Sequence, residues 1–201
     1  VHSVVGGQPT RLHISGESGV GKTWFISELL RRIRGNPWFQ VFDTACRERE
    51  DVSLQAFDAL ADAIARRYSR EDREPIKLSP KHALILRQAF PSLRAVILEP
   101  QLTEYEWEEL QRESHFPPTD SSHHSDHSHV ELARSDALQS GVELVNQMCI
   151  YGPLFLVYDD IQWGDQDSIN VLDKLLTHCK GEVGLITIGR ARESRFRHHA
   201  N

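Results

Sequence analysis

Gly16-Glu17-Ser18-Gly19-Val20-Gly21-Lys22-Thr23 follows the spacing G-x-x-x-x-G-K-[ST]. Each part of that pattern has a physical task around a nucleoside triphosphate. Glycines let the backbone take positive φ angles and curl closely around phosphate oxygens. Successive N–H groups then point inward as an anion nest, at the positive end of the following helix. Lys22 sets a point charge on the β- and γ-phosphates, and the Thr23 hydroxyl is offered to Mg²⁺. The flanks agree: Arg11-Leu12-His13-Ile14-Ser15 reads as a short strand entering the loop, and Trp24 to Ile33 as a helix leaving it. A glycine-rich turn ahead of a helix is the plainer alternative, and the strand and helix around the motif count against it. Gly16, Glu17, Ser18, Gly19, Val20, Gly21, Lys22 and Thr23 are therefore the candidate nucleotide-binding residues. Among them, Lys22 is also a candidate catalytic group and Thr23 a candidate metal ligand.

Outward from the loop, strand and helix alternate, which predicts an α/β fold with a central parallel sheet and helices on both faces. The first helix is expected to carry Trp24, Phe25, Leu29, Leu30 and Ile33, ending before Gly35-Asn36-Pro37. A second strand is read over Trp38 to Asp43. A second helix over Leu54 to Tyr68 sets Phe57, Leu60, Ala61 and Ile64 on one stripe. Lys81 to Phe90 reads as a short helix, followed by Pro91-Ser92-Leu93 and Val96-Ile97-Leu98. The acidic stretch Glu104–Glu109 comes next. Residues 117–129, rich in Ser and His, read as a flexible linker within the domain. Order returns with a helix over Ala133 to Tyr151, a strand over Leu154 to Tyr158, a helix over Ser168 to His178 and a strand over Val183 to Ile188.

A nucleotide loop needs a partner that holds the metal and positions water. The apolar run Leu154 to Tyr158 suits a central strand covered on both faces, and it ends in Asp159-Asp160. A carboxylate at the C-terminal end of such a strand lies at the ligand-binding edge of an open sheet, beside the phosphate loop. Asp159 fits the metal-holding carboxylate. Asp160 fits the group that orients or deprotonates the attacking water. The alternative is that the pair starts a turn and caps the next helix. Arg190 follows the last strand, where a cation could sense the γ-phosphate; the alternative is one surface arginine among Arg192, Arg195 and Arg197.

Composition narrows the class. The 201 residues carry a net charge of −6, with a pI near 6.0, so no general attraction to nucleic acid or an anionic membrane is expected. No apolar run reaches the roughly 18 residues a membrane span needs. Cys46, Cys149 and Cys179 lack metal-ligand spacing and read as reduced thiols of a cytoplasmic protein. The chain begins at Val1 and closes without a helix stop, so it reads as a segment of a larger polypeptide.

The phosphate loop together with Tyr158-Asp159-Asp160-Ile161-Gln162-Trp163-Gly164-Asp165-Gln166-Asp167-Ser168 resembles the AAA-type predicted ATPase modules of the STAND class of P-loop NTPases. Their second motif commonly reads hydrophobic-Asp-Asp-Leu-Gln-Trp-Ala-Asp-x-x-Ser. Such modules occur in large bacterial signalling proteins, among them LuxR-type regulators, adenylate cyclases and serine/threonine protein kinases. Cys46-Arg47-Glu48-Arg49-Glu50, the run Phe57–Ala63 and Ala89-Phe90-Pro91-Ser92-Leu93 are similar to the version fused behind bacterial protein kinases.

The resemblance, over most of residues 11–190, implies a three-layer P-loop NTPase that switches with ATP and Mg²⁺. It carries Lys22, Thr23, Asp159 and Asp160 over directly, and matches Arg190 to the arginine closing the fourth strand. It also implies an upstream Gly-Arg-x-x-Glu element, a fifth strand and a helical lid. These are absent from the sequence, so residues 1–201 read as one domain, incomplete at both ends. Expected partners are the nucleotide, other domains of the same polypeptide, and a protein partner or a second copy.

Remaining features weigh less. His123, His124, His127 and His129 are spaced for Zn²⁺ or Ni²⁺, but lack an apolar shell and read as solvated linker. Trp163 reads as packed against helices rather than stacked on a base. Glu48 and Glu50 follow strand two and read as loop charges. Three readings compete: a hydrolysing switch, a nucleotide-holding scaffold without turnover, and a small-molecule kinase, for which no Arg-rich lid is seen. No His-Arg-Asp, Asp-Phe-Gly or Asn-Lys-x-Asp motif occurs, which sets aside protein-kinase chemistry within this chain and makes ATP the default base.

Overall fold

The computed structural model describes residue 4 and residues 9–46, 55–71, 73–113 and 127–190. Among these, β1 (Thr10–Ser15) leads through the glycine loop into α1 (Lys22–Arg34), followed by β2 (Gln40–Ala45), α2 (Gln55–Glu71) and α3 (Pro80–Ala89). A 3₁₀ turn (Pro91–Ala95), α4 (Glu104–Glu113) and α5 (His127–Cys149) come next. The chain then forms β3 (Leu154–Asp159), a 3₁₀ turn (Ile161–Trp163), α6 (Gln166–His178) and β4 (Val183–Gly189).

All four strands are parallel, in the order β1-β4-β3-β2. The strand with the aspartate pair is thus not the neighbour of the strand entering the phosphate loop, because β4 is inserted between them. Both β4 and the apolar body of β3 are buried throughout, as central strands covered on two faces should be.

The side-chain alternation of β3 divides the core in two. Phe155 and Val157 join Ile26, Leu30 and Ile33 of α1 on one face. Leu154, Leu156 and Tyr158 join the larger cluster on the other face, with Leu60 of α2, Leu86 of α3, Met148 of α5 and Leu172 of α6. Helices on both faces make this the three-layer α/β arrangement of P-loop NTPases.

Three expectations are corrected. Trp24 and Phe25 do not pack inward: they are 74% and 51% exposed. The buried stripe is Ile26, Leu30 and Ile33, and Trp24 lies about 200° around the helix from Ile26 at 3.6 residues per turn. The second strand starts at Gln40 rather than Trp38, since the Asn36 side chain holds a turn by accepting the Trp38 N–H at 3.0 Å. The helix expected from Ala133 begins at His127, so residues 127–129 of the expected linker are helical; residues 117–126 lie outside the described residues. The fifth strand and the lid implied by the resemblance are not among the described residues.

Candidate nucleotide site

The glycine loop has the geometry its composition demands. Gly19 and Gly21 have φ of 83° and 90°, a region that L side chains enter only at a cost. Gly21 is also the N-cap of α1, its carbonyl accepting the Phe25 N–H at 2.9 Å. Lys22 folds its ammonium back into the loop, Nζ donating to the carbonyls of Gly16 at 2.9 Å and Glu17 at 2.7 Å. Helix α1 has no acidic residue in its first turn and Arg31, Arg32 and Arg34 in its last. Its positive dipole end therefore faces the loop without a carboxylate to neutralise it.

A cavity of about 800 Å³ runs from the first turn of α1 to the C-terminal ends of β2 and β3, and its lining includes Thr23, Asp43, Thr44 and Asp159. Thr23 and Asp159, distant in sequence, thus offer oxygen to one concavity. The Thr23 hydroxyl and the half-buried Asp159 carboxylate are hard donors of the kind Mg²⁺ takes, so this pair fits that ion.

Asp160 stands beside this cavity, not in its lining. It is the one described non-glycine residue in the left-handed region, with φ 52° and ψ 41°. Its N–H donates to Asp159 Oδ1 at 2.8 Å, and its carboxylate accepts from Gln162 Nε2 at 2.9 Å. It does start a turn, the 3₁₀ segment that follows. The cap of the next helix, however, is Asp165, which accepts the Ser168 N–H at 2.8 Å. Arg190 is exposed and follows β4, whose last residue, Gly189, is in register with Ser15 at the mouth of the loop. Arg190 therefore sits at the same sheet edge, between the ends of β1 and β3. Arg192, Arg195, Arg197, Glu48, Glu50, His123 and His124 lie outside the described residues.

Two groups, the buried Cys46 and the half-buried His13, record the electrostatics beneath this edge. Cys46 follows β2, its N–H donating to the Asp159 carbonyl at 2.9 Å. Burial pushes its thiol up to about 12, reinforced by the carboxylates of Asp165, Asp160 and Asp159. His13 shares a hydrogen bond of 2.9 Å with Thr187 between β1 and β4. Burial, and then the Arg11 charge, lowers its pKa below the ordinary range, which favours neutral imidazole. Trp163 is half-buried and packs against the larger core.

Three residues here were not singled out from sequence. Asp43 had a usable signal: it is a carboxylate near the C-terminal end of a parallel strand. Thr44 had none. Gln162 was visible only as a letter in the second motif.

Among the described residues no helix is long and apolar enough to cross a membrane. A family model described as AAA ATPase domain matches residues 1–188. No curated protein matches the chain.

Proposed function

We propose, since this chain belongs to the AAA ATPase domain family, that it binds ATP with Mg²⁺ and hydrolyses it as the switch of a larger signalling protein. On this reading the module is of the STAND class, acting in the cytoplasm on other domains of its own polypeptide, such as a serine/threonine kinase or a LuxR-type regulator. Residues 16–23 hold the phosphates, with Lys22 on the β- and γ-phosphates. Thr23 and Asp159 hold the metal, which when bound would neutralise charge on the phosphate oxygens. A water oxygen bonds the γ-phosphorus as the bond to the bridging oxygen breaks. The water's proton passes to Asp160, and ADP and phosphate leave. Arg190 senses the γ-phosphate from the end of β4.

The observation that supports this most is the convergence of Thr23 and Asp159 on one cavity, beside a loop whose lysine already points inward. A second reading, a scaffold that holds nucleotide without turnover, draws support from Asp160 standing outside that cavity lining.

The two readings separate in one experiment. Fluorescent ATP and ADP are titrated with Mg²⁺ into the wild type, Lys22→Ala and Asp160→Asn, and phosphate release is then followed. For the switch, Lys22→Ala weakens binding at least tenfold, and Asp160→Asn binds normally with release reduced on the order of a hundredfold. Equal release from Asp160→Asn and the wild type would remove Asp160 from the chemistry. Binding without release in the wild type would establish the scaffold.

A further inference from the structure

Gln162 is half-buried on the 3₁₀ turn after β3. An ionised carboxylate can only accept hydrogen bonds, so the group the side chain turns toward Asp160 must be its amide nitrogen. That is the arrangement found, Nε2 donating to Asp160 Oδ1 at 2.9 Å. The orientation leaves Oε1 facing the other way. Oε1 is buried and accepts no hydrogen bond from the described residues, and it lies 3.2 Å from where a Cβ on Gly189 would stand. One carboxamide thus spans from the carboxylate after β3 to the end of β4, the last position before Arg190.

A buried acceptor without a donor is a cost that native structures rarely carry without a reason. Here the reason lies at the other end of the side chain. Asp160 is in the left-handed region, which aspartate enters more readily than most side chains but still at a cost. It has a single side-chain partner among the described residues, Gln162. Without that bond the carboxylate would rotate freely in solvent, where a base gains nothing from proximity.

We propose that Gln162 is a positioning residue for hydrolysis, holding the Asp160 carboxylate in the orientation that meets the attacking water. The buried Oε1 lies against Gly189 at the end of β4, which fixes the side chain from its other end. The inference rests on the hydrolase reading above and names a group which that reading leaves without a task.

The test is a double-mutant cycle on phosphate release, with ATP affinity measured in parallel. Gln162→Leu keeps the bulk and loses the hydrogen bond to Asp160; Gln162→Glu keeps the shape and replaces the donor with an acceptor. Each is expected to lower kcat about tenfold or more, a fraction of what a positioned base supplies, while ATP affinity stays within about threefold. In the Asp160→Asn background, Gln162→Leu should lower kcat by less than about twofold, since a residue acting through Asp160 has nothing left to position. An equal loss in both backgrounds would overturn the proposal, as would parallel losses in affinity and kcat, or wild-type turnover in Gln162→Glu. Wild-type protein that binds ATP and releases no phosphate would sink the hydrolase reading and this role together. Turnover unaffected by Gln162→Leu would sink the role alone.

Discussion

Tyr158 is wholly buried in the larger core one residue before the aspartate pair, and its hydroxyl has no hydrogen-bond partner among the described residues. Burial holds its pKa well above the ordinary range, so the group is a neutral phenol. An unmade hydrogen bond at a buried hydroxyl costs about 1–3 kcal/mol, and removing the polar atom removes that cost. Tyr158→Phe should therefore raise the urea midpoint, by about 1 kcal/mol in unfolding free energy. A lower midpoint would mean that the hydroxyl finds a partner in solution. From sequence, Tyr158 is only the last letter of an apolar run. The glycine loop was legible because residue identity encodes backbone geometry there: Gly19 and Gly21 take the positive φ angles their identity permits. Gln162 was not legible as a partner of Asp160, because their bond depends on a left-handed turn at an aspartate, which no residue pattern requires.

Helix α6 begins at a cap that does more than end a turn. Asp165 accepts the Ser168 N–H at 2.8 Å and the Ser168 hydroxyl at 2.5 Å, while Ser168 Oγ accepts the Ala56 N–H of α2 at 3.0 Å. The cap thus ties the start of α6 to the start of α2. Asp165→Ala should destabilise the fold by about 1–2 kcal/mol, at the upper end for N-caps because Ser168 loses its acceptor too. Chemical denaturation measures this, and a loss below a few tenths of a kcal/mol would show that the serine bridge holds without the aspartate. At the other margin of the described sheet, β2 is guarded by cations. Arg67 Nη1 donates to the Val41 carbonyl at 3.2 Å and its Nε to Glu71 at 2.8 Å, and Arg34 pairs with Asp43. Arg34 in the last turn of α1 and Arg70 in that of α2 suit those helices' negative ends, and the charge of Arg34 and Arg67 beside β2 discourages edge pairing with another chain. Charge at the helix ends was therefore readable in kind. The order of the strands was not, since Leu154–Tyr158 and Val183–Ile188 are equally apolar and nothing in either run says which pairs with β1.

At the scale of the molecule, the loop's rigidity depends on the smaller of the two cores. Helix α1 carries Lys22 and Thr23, and it is seated on the sheet by Ile26, Leu30 and Ile33 against Val41, Phe155, Val157, Ile186 and Ile188. Those five sheet residues come from β2, β3 and β4, so a ligand gripping the start of α1 also grips three strands. Nucleotide bound only by the native state stabilises that state by RT ln(1 + [L]/Kd), about 2.7 kcal/mol at a hundredfold excess over Kd. For a domain of this size each kcal/mol moves the midpoint about 2–4 °C. Saturating ATP with Mg²⁺ should therefore raise the melting temperature by roughly 5–10 °C. In Lys22→Ala the shift should shrink to about a degree, while the melting temperature without ligand stays within about 2 °C of the wild type, since among the described residues the Lys22 ammonium bonds only to carbonyls of its own loop. A shift that persists in Lys22→Ala would place the bound nucleotide elsewhere. The arginine-lined cavity of about 530 Å³ beside β2 would then be the first place to look. A melting temperature that falls sharply in Lys22→Ala without ligand would instead show that the inward lysine holds the loop itself together, and α1 with it.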